Sequence, residues 1–330
     1  MELNNPLNAT YLNRNRGSPN NNNNSFKYKL DCQSRIDPVN PETKDWLSLE
    51  TQISKDSTEY TLFTGLLDKK KSIVVKIGSD KLKKEYEIGN LLDNELKLPT
   101  FLGFYCLFNC LDNFHELKKR TQIEKNESLA INAMRKNLCK TEGEQIHILV
   151  MPHIKLKEIG DYKWNKSNNK ILNNVLKHII MSLCYARYKI GFVHRDLHTH
   201  NILMQNTKRK LISYDEFGEL EVLGLLPIIM DYDISTIKKD NSIEHGDIYD
   251  DFKKIINLVS GDSEIDIVFD CARFIGLIEK YRNEKKTIDK QTCSQICSEI
   301  DKFIIKEVKS ENRPLFEFPK AISTSVRKPL

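Results

Sequence analysis

Residues 191–204 read GFVHRDLHTHNILM, and the order of side chains in this stretch decides the fold. A short apolar approach, Phe192 and Val193, leads into His194, Arg195 and Asp196; Asn201 follows five positions after Asp196, ahead of the β-type run Ile202, Leu203, Met204. This spacing sets a carboxylate and an amide at the two ends of one tight loop. Such a loop suits phosphoryl transfer, where a carboxylate orients the proton of an attacking hydroxyl and a neutral oxygen helps to hold magnesium on the phosphates. Asp196 is therefore the candidate base and Asn201 a candidate metal ligand. Downstream, the apolar run Ile228, Ile229, Met230 delivers a carboxylate at its exit, which makes Asp231 the second candidate metal ligand.

These residues resemble the protein kinase superfamily, whose catalytic loop reads H-R-D-L-x-x-x-N and whose metal motif reads D-F-G. His194, Arg195, Asp196, Leu197 and Asn201 match the first motif; Asp231 matches the second, with Tyr232 for Phe and Asp233 for Gly. The resemblance implies an α+β, two-lobed kinase-like fold: a small antiparallel-sheet N-lobe with one helix, and a larger, mainly helical C-lobe. Composition marks a disordered asparagine-rich tail over 1–25, and the resemblance divides the rest into an N-lobe over 26–151, with an insertion at about 110–143, and a C-lobe over 152–330.

Strand-like runs at 47–53, 60–64 and 72–77 predict three antiparallel strands. Ile73, Val74, Val75 and Lys76 resemble the kinase V-A-I-K, so Lys76 is the lysine expected to meet the α- and β-phosphates. The turn between the first two strands should carry G-x-G-x-x-G but reads SKDSTE over 54–59. Without glycine, backbone N–H groups approach phosphates less readily; Ser54, Lys55 and Ser57 are the expected substitutes. Residues 81–92 have helical spacing, and on the resemblance Glu85 pairs with Lys76, with Glu87 as the alternative. Another strand is expected at 101–105, and 146–154 resembles the kinase strand and hinge, with Met151 as gatekeeper and Ile154 offering its backbone N–H to adenine. Residues 171–188 predict the helix before the catalytic loop. The tetrapeptide Asp215, Glu216, Phe217, Gly218 looks like a metal motif but sits between two strand-like runs, so it reads as a hairpin turn. Asp247 resembles the residue that braces the catalytic loop, with Asp250 and Asp251 as alternatives.

The glycine-poor phosphate loop, the Asp-Tyr-Asp sequence and the short interval before Asp247 are similar to divergent serine/threonine kinases of large cytoplasmic DNA viruses such as poxviruses, and in part to haspin. His198 stands two residues after Asp196 as in haspin, either facing the transferred phosphate or serving structure. The implied activity is ATP- and Mg²⁺-dependent phosphorylation of protein serine or threonine. Small-molecule kinases of the aminoglycoside and choline type, and a pseudokinase scaffold, are the alternatives.

Composition agrees with a soluble enzyme: 330 residues, 39% hydrophobic, and a net charge of only +5, which calls for no nucleic acid partner. No apolar run of membrane-spanning length is present, and the amino terminus lacks the pattern of a signal peptide, so an intracellular, cytoplasmic protein is expected. The eight cysteines show no zinc-binding spacing; Cys106/Cys110 and Cys293/Cys297 have helical i,i+4 spacing, and free buried thiols are expected.

Overall fold

Alternation of apolar and polar residues along the first half of the chain produces a five-stranded antiparallel sheet. Its strands are β1 (Leu47–Gln52), β2 (Tyr60–Leu67), β3 (Lys71–Gly78), β4 (Cys106–Asp112) and β5 (Glu144–Pro152), in the order β1-β2-β3-β5-β4. A helix, α1 (Lys81–Leu91), follows β3. The computed structural model describes residues 30–37, 39, 41–43, 45–53, 60–112, 138–154, 156–237, 248–255 and 271–302. The asparagine-rich tail, Ser54, Lys55, Ser57, residues 113–137 of the expected insertion, and Asp247 lie outside the described residues.

The period-2 pattern of β3 decides what faces what. Ile73, Val75 and Ile77 are wholly buried against Phe63, Phe108, Ile148 and Val150 on one face. Lys76 points to the other face, in register with Leu62 on β2 and Leu149 on β5. The first face is covered by chain segments around Cys32, Leu138 and Cys139, which join the same apolar cluster.

That covering is covalent. Cys106 and Cys110 lie on one face of β4, bonded to Cys32 and Cys139 respectively, and a third disulfide links Cys184 to Cys293. Two expectations are thereby corrected. Six cysteines expected as free thiols are paired, while Cys297 is free and buried. The four-residue spacing of Cys106 and Cys110 belongs to a strand, where positions four apart also share a face. The strand expected at 101–105 is displaced too. Thr100 and Leu102 spend their backbone groups on Ile229, with Ile229 N–H donating to Thr100 O (2.8 Å) and Leu102 N–H donating to Ile229 O (2.9 Å), so the sheet strand begins only at Cys106.

The second part of the chain is built round α2 (Asn169–Ile190), whose leucines and isoleucines are buried on most sides. Gly191 ends it in the left-handed region, φ 73°, with its N–H on Arg187 O at 2.9 Å; a β-carbon there would be strained. Short strands follow: β6 (Lys157–Glu158) before the helix, then β7 (Phe192–Val193), β8 (Ile202–Asn206), β9 (Leu211–Ser213), β10 (Glu219–Glu221), β11 (Leu225–Ile229) and β12 (Thr236–Ile237). The 215–218 turn joins the antiparallel pair β9 and β10. Antiparallel β8 and β11 pair Ile202 with Ile229, and β7 and β12 pair Val193 with Thr236. Together these ladders clamp both flanks of the 194–201 loop and the chain after Asp231. Helices α3 (Ile248–Lys254), α4 (Cys271–Asn283) and α5 (Lys290–Ile300) complete the described residues. None of the described helices is long and apolar enough to cross a membrane.

Candidate active site

The 194–201 loop is held from α3. Asp251 is fully buried and its carboxylate accepts the backbone N–H of His194 (2.9 Å) and of Arg195 (2.9 Å). Of the three aspartates open to the sequence reading, the helix turns Asp251 inward; Asp250 pairs instead with Arg282 at 2.9 Å. Burial pushes the Asp251 carboxyl up to about 7, while the two backbone donors draw it down. Arg195 adopts φ 72°, an uncommon conformation for a side-chain-bearing residue, and Lys254 Nζ donates to its carbonyl at 2.5 Å. Strain of this kind persists only where the surroundings over-determine it.

His194 is wholly buried, and its two ring nitrogens define its state. Nδ1 receives the backbone N–H of Asp196 (3.2 Å), so Nε2 carries the proton and donates to Met230 O (3.0 Å). Burial pushes its pKa down to about 4, so the ring is neutral near pH 7. Ser235 Oγ donates to His194 O at 2.9 Å.

At the far end of the loop Asn201 Nδ2 donates to Asp196 O (2.8 Å) and lies 2.9 Å from His198 Nε2; His198 Nε2 is 3.3 Å from Asp196 Oδ2. Asp196, His198 and Asn201 therefore form one contact cluster. Because the nitrogen end of the Asn201 amide is spent on the loop, its oxygen is the atom left to face a cation. Met230 N–H donates to Asn201 O at 3.0 Å, which sets Asp231 beside the same loop.

Asp231 leaves β11 with φ 64°. Its Oδ1 lies 3.0 Å from Lys76 Nζ, and Lys76 Nζ lies 2.8 Å from Glu85 Oε2. Glu85 sits on the buried face of α1, whereas Glu87 is exposed. Burial alone would push the Lys76 ammonium down, but the two carboxylates outweigh it and hold its pKa above the ordinary lysine value. Burial pushes Glu85 up to about 7, with Lys76 drawing it down. With two carboxylates facing one ammonium, the proton stays on Lys76. Burial, and then the charge of Asp231, also raise the carboxyl of Asp233.

Two tyrosines, one of them unmarked in the sequence, shape this cluster. Tyr232 is fully buried, and its hydroxyl lies 2.8 Å from Ile229 O and 3.1 Å from Leu102 O. Its ring meets Phe104, Phe192 and His194 edge-on. Phe104 in turn occupies space that any β-carbon on residue 89 would claim, at 2.2 Å, which explains Gly89 in mid-helix. Tyr60, at the start of β2, places its ring centroid 4.1 Å from Lys76 Nζ. Tyr232 stands at the Phe position of the metal motif, whereas no motif marks Tyr60.

The structure thus brings Lys76, Glu85 and Asp231 together, and Asp196 with Asn201. Met151 lies on the same sheet face as Lys76, in register with Val74, and is nearly buried. Ile154 is partly buried and packs against the larger apolar core. No group of three or more His, Cys, Asp or Glu side chains among the described residues could hold a metal ion by itself. The side-chain oxygens of Asn201 and Asp231 are of the donor type that a hard cation such as magnesium takes.

Residues 115–224 match the model of the ABC1 atypical kinase-like domain. Over 110 residues, 32% of this chain, the sequence is 33% identical to the serine/threonine-protein kinase haspin of Mus musculus. That match spans 15% of the mouse protein's length.

Proposed function

We propose that this kinase-like domain transfers the γ-phosphate of ATP to serine or threonine hydroxyls of proteins, with Mg²⁺. The observation that carries the proposal is the meeting of Lys76, Glu85 and Asp231 next to the loop that holds Asp196 and Asn201. These side chains are far apart in sequence, and phosphoryl transfer is the chemistry that uses them together.

In this reading Lys76, held by Glu85, grips the nucleotide phosphates. Asp196, fixed by the loop backbone, accepts the proton of the acceptor hydroxyl. Asn201 and Asp231 are the residues that would hold Mg²⁺; when bound, the ion neutralises charge on the phosphates. Met151 and Ile154 border the adenine, and His198, 3.3 Å from Asp196 Oδ2, contacts the transferred phosphate or serves to hold the loop. Ser54, Lys55 and Ser57 belong to the same proposal as the phosphate-covering turn. So does the division of the chain at 151/152. The name of the mouse relative supports a serine or threonine acceptor. For compartment, three disulfides favour maturation under oxidising conditions over the reducing cytoplasm.

The test is incubation with labelled ATP and Mg²⁺ alongside casein-like proteins, with mapping of the modified residues. Incorporation at serine and threonine is expected, and Asp196→Ala should lower it by about 10²- to 10⁴-fold while ATP still binds. Label appearing only on small aminated alcohols, or ATP binding without turnover, would replace the protein-kinase reading by a small-molecule kinase or a scaffold.

A further inference from the structure

Asp231 holds a conformation that an aspartate does not choose by itself. Its φ of 64° lies in the left-handed region, uncommon for a residue with a side chain, and its carboxylate is turned onto Lys76 at 3.0 Å. Such strain persists only where the neighbours of the residue fix it. On its amino-terminal side Met230 N–H donates to Asn201 O at 3.0 Å. On its other side stands Tyr232.

The ring of Tyr232 is fully buried, with the rings of Phe104, Phe192 and His194 edge-on to it at 5.8, 6.1 and 6.2 Å between centroids. A phenylalanine would fill the same space. What tyrosine adds is a hydroxyl inside that apolar pocket, 2.8 Å from Ile229 O and 3.1 Å from Leu102 O. Burial raises this hydroxyl well above the ordinary tyrosine range, so it keeps its proton and acts as the donor. The first acceptor closes residues 229–232 on themselves, and the second ties them to the connection that precedes β4. A hydroxyl is tolerated in apolar surroundings only while it is bonded. Any motion that swings the ring away, and Asp231 with it, must therefore break both contacts.

We propose that the Tyr232 hydroxyl is a latch on the segment leaving β11, which keeps Asp231 in the orientation that faces Lys76 and can hold a cation. Tyr232 is thus a positioning residue: fully buried, it acts through Asp231 rather than on a ligand. The inference rests on the kinase reading for the role of Asp231, whereas the latch itself belongs to the protein without ligand.

Hydrogen exchange of the full chain, wild type against Tyr232→Phe, reads the latch directly, because the substitution keeps the ring and removes only the hydroxyl. Protection of the Met230 and Ser235 amides, which donate to Asn201 O and Tyr232 O, should fall by roughly two- to tenfold, the equilibrium factor of one net hydrogen bond. Amides of β3 and β5 should keep their protection. Tyr214→Phe is the control: it removes another fully buried hydroxyl, 2.8 Å from His178 Nδ1, and should leave Met230 and Ser235 unchanged. In the labelled-ATP assay the Mg²⁺ concentration for half-maximal rate should rise in Tyr232→Phe, by up to about tenfold, while KM for the acceptor protein stays as in the wild type. Unchanged protection at Met230 and Ser235, an equal fall across the sheet, or the same fall in Tyr214→Phe overturns the latch. An unchanged Mg²⁺ requirement overturns its positioning role. A local fall in protection with no phosphate transfer by the wild type leaves the latch in place and overturns the kinase reading.

Discussion

The two halves of the candidate site are built on opposite principles. Around Lys76 the charges are sunk: the lysine and Glu85 side chains are 4% and 2% exposed, and each is satisfied by a partner on another element. Around Asp196 the charges are open: its side chain is 42% exposed and that of His198 43%, and order comes from backbone bonds to Asp251 rather than from burial. A group that must grip the same polyphosphate in every cycle gains from a fixed, dry setting, where electrostatic contacts are strengthened. A group that must meet a changing acceptor needs access. In the proposed reading, the difference separates nucleotide binding from acceptor recognition.

The sharpest way to break this comparison is to empty the buried end. Lys76→Met leaves Glu85 buried without its cation, and loss of about 3–5 kcal/mol of folding stability is expected. Adding Glu85→Leu to that variant should restore at least half of the loss, as read from denaturant midpoints. If Lys76→Met unfolds at the wild-type midpoint, the buried pair is not a structural element. At the open end the parallel change is Asp251→Asn, which keeps one acceptor oxygen but turns an amide toward the second backbone N–H. Loss of about 1–3 kcal/mol is expected, with turnover falling by up to about a hundredfold through misplacement of Asp196 and ATP affinity changing less. Equal losses in turnover and ATP affinity would contradict the separation of the two ends.

The smallest effect tests the burial argument away from the candidate site. His178 is fully buried, with Nε2 2.9 Å from Glu221 O and Nδ1 2.8 Å from the Tyr214 hydroxyl, and burial pushes its pKa down to about 4. A depressed pKa means that the unfolded chain takes up the proton first. The stability tied to neutral His178 is therefore full above its ordinary value near 6.5 and is lost as pH falls toward 4. The stability gap between wild type and His178→Gln should narrow over that interval, by on the order of 3 kcal/mol. A gap that is constant between pH 7.5 and pH 4 would show that the ring titrates freely.

Much of the candidate site was legible because its chemistry is local. Asp196 and Asn201 are set five positions apart in one loop, Lys76 sits in a period-2 apolar run, and Glu85 stands three and seven positions ahead of Ile88 and Leu92. Spacing of that kind fixes a face or a loop whatever the rest of the chain does. Other features had no local sign. Cys106 and Cys110 gave no hint of partners 74 and 29 residues away, and residues 101–105 look like a strand until Ile229 takes up their backbone groups. Asp250 and Asp251 are indistinguishable until α3 is given a direction.

What the sequence determined by itself was therefore most of the longer elements and the chemical character of one loop, since both depend on neighbours within a few residues. Which cysteines join, which aspartate braces the loop, and the ring that rests on Lys76 were decided only by the tertiary structure. Each of these depends on a distance between side chains that are remote in the chain. Such distances exist only once the sheet, α1 and β11 have packed.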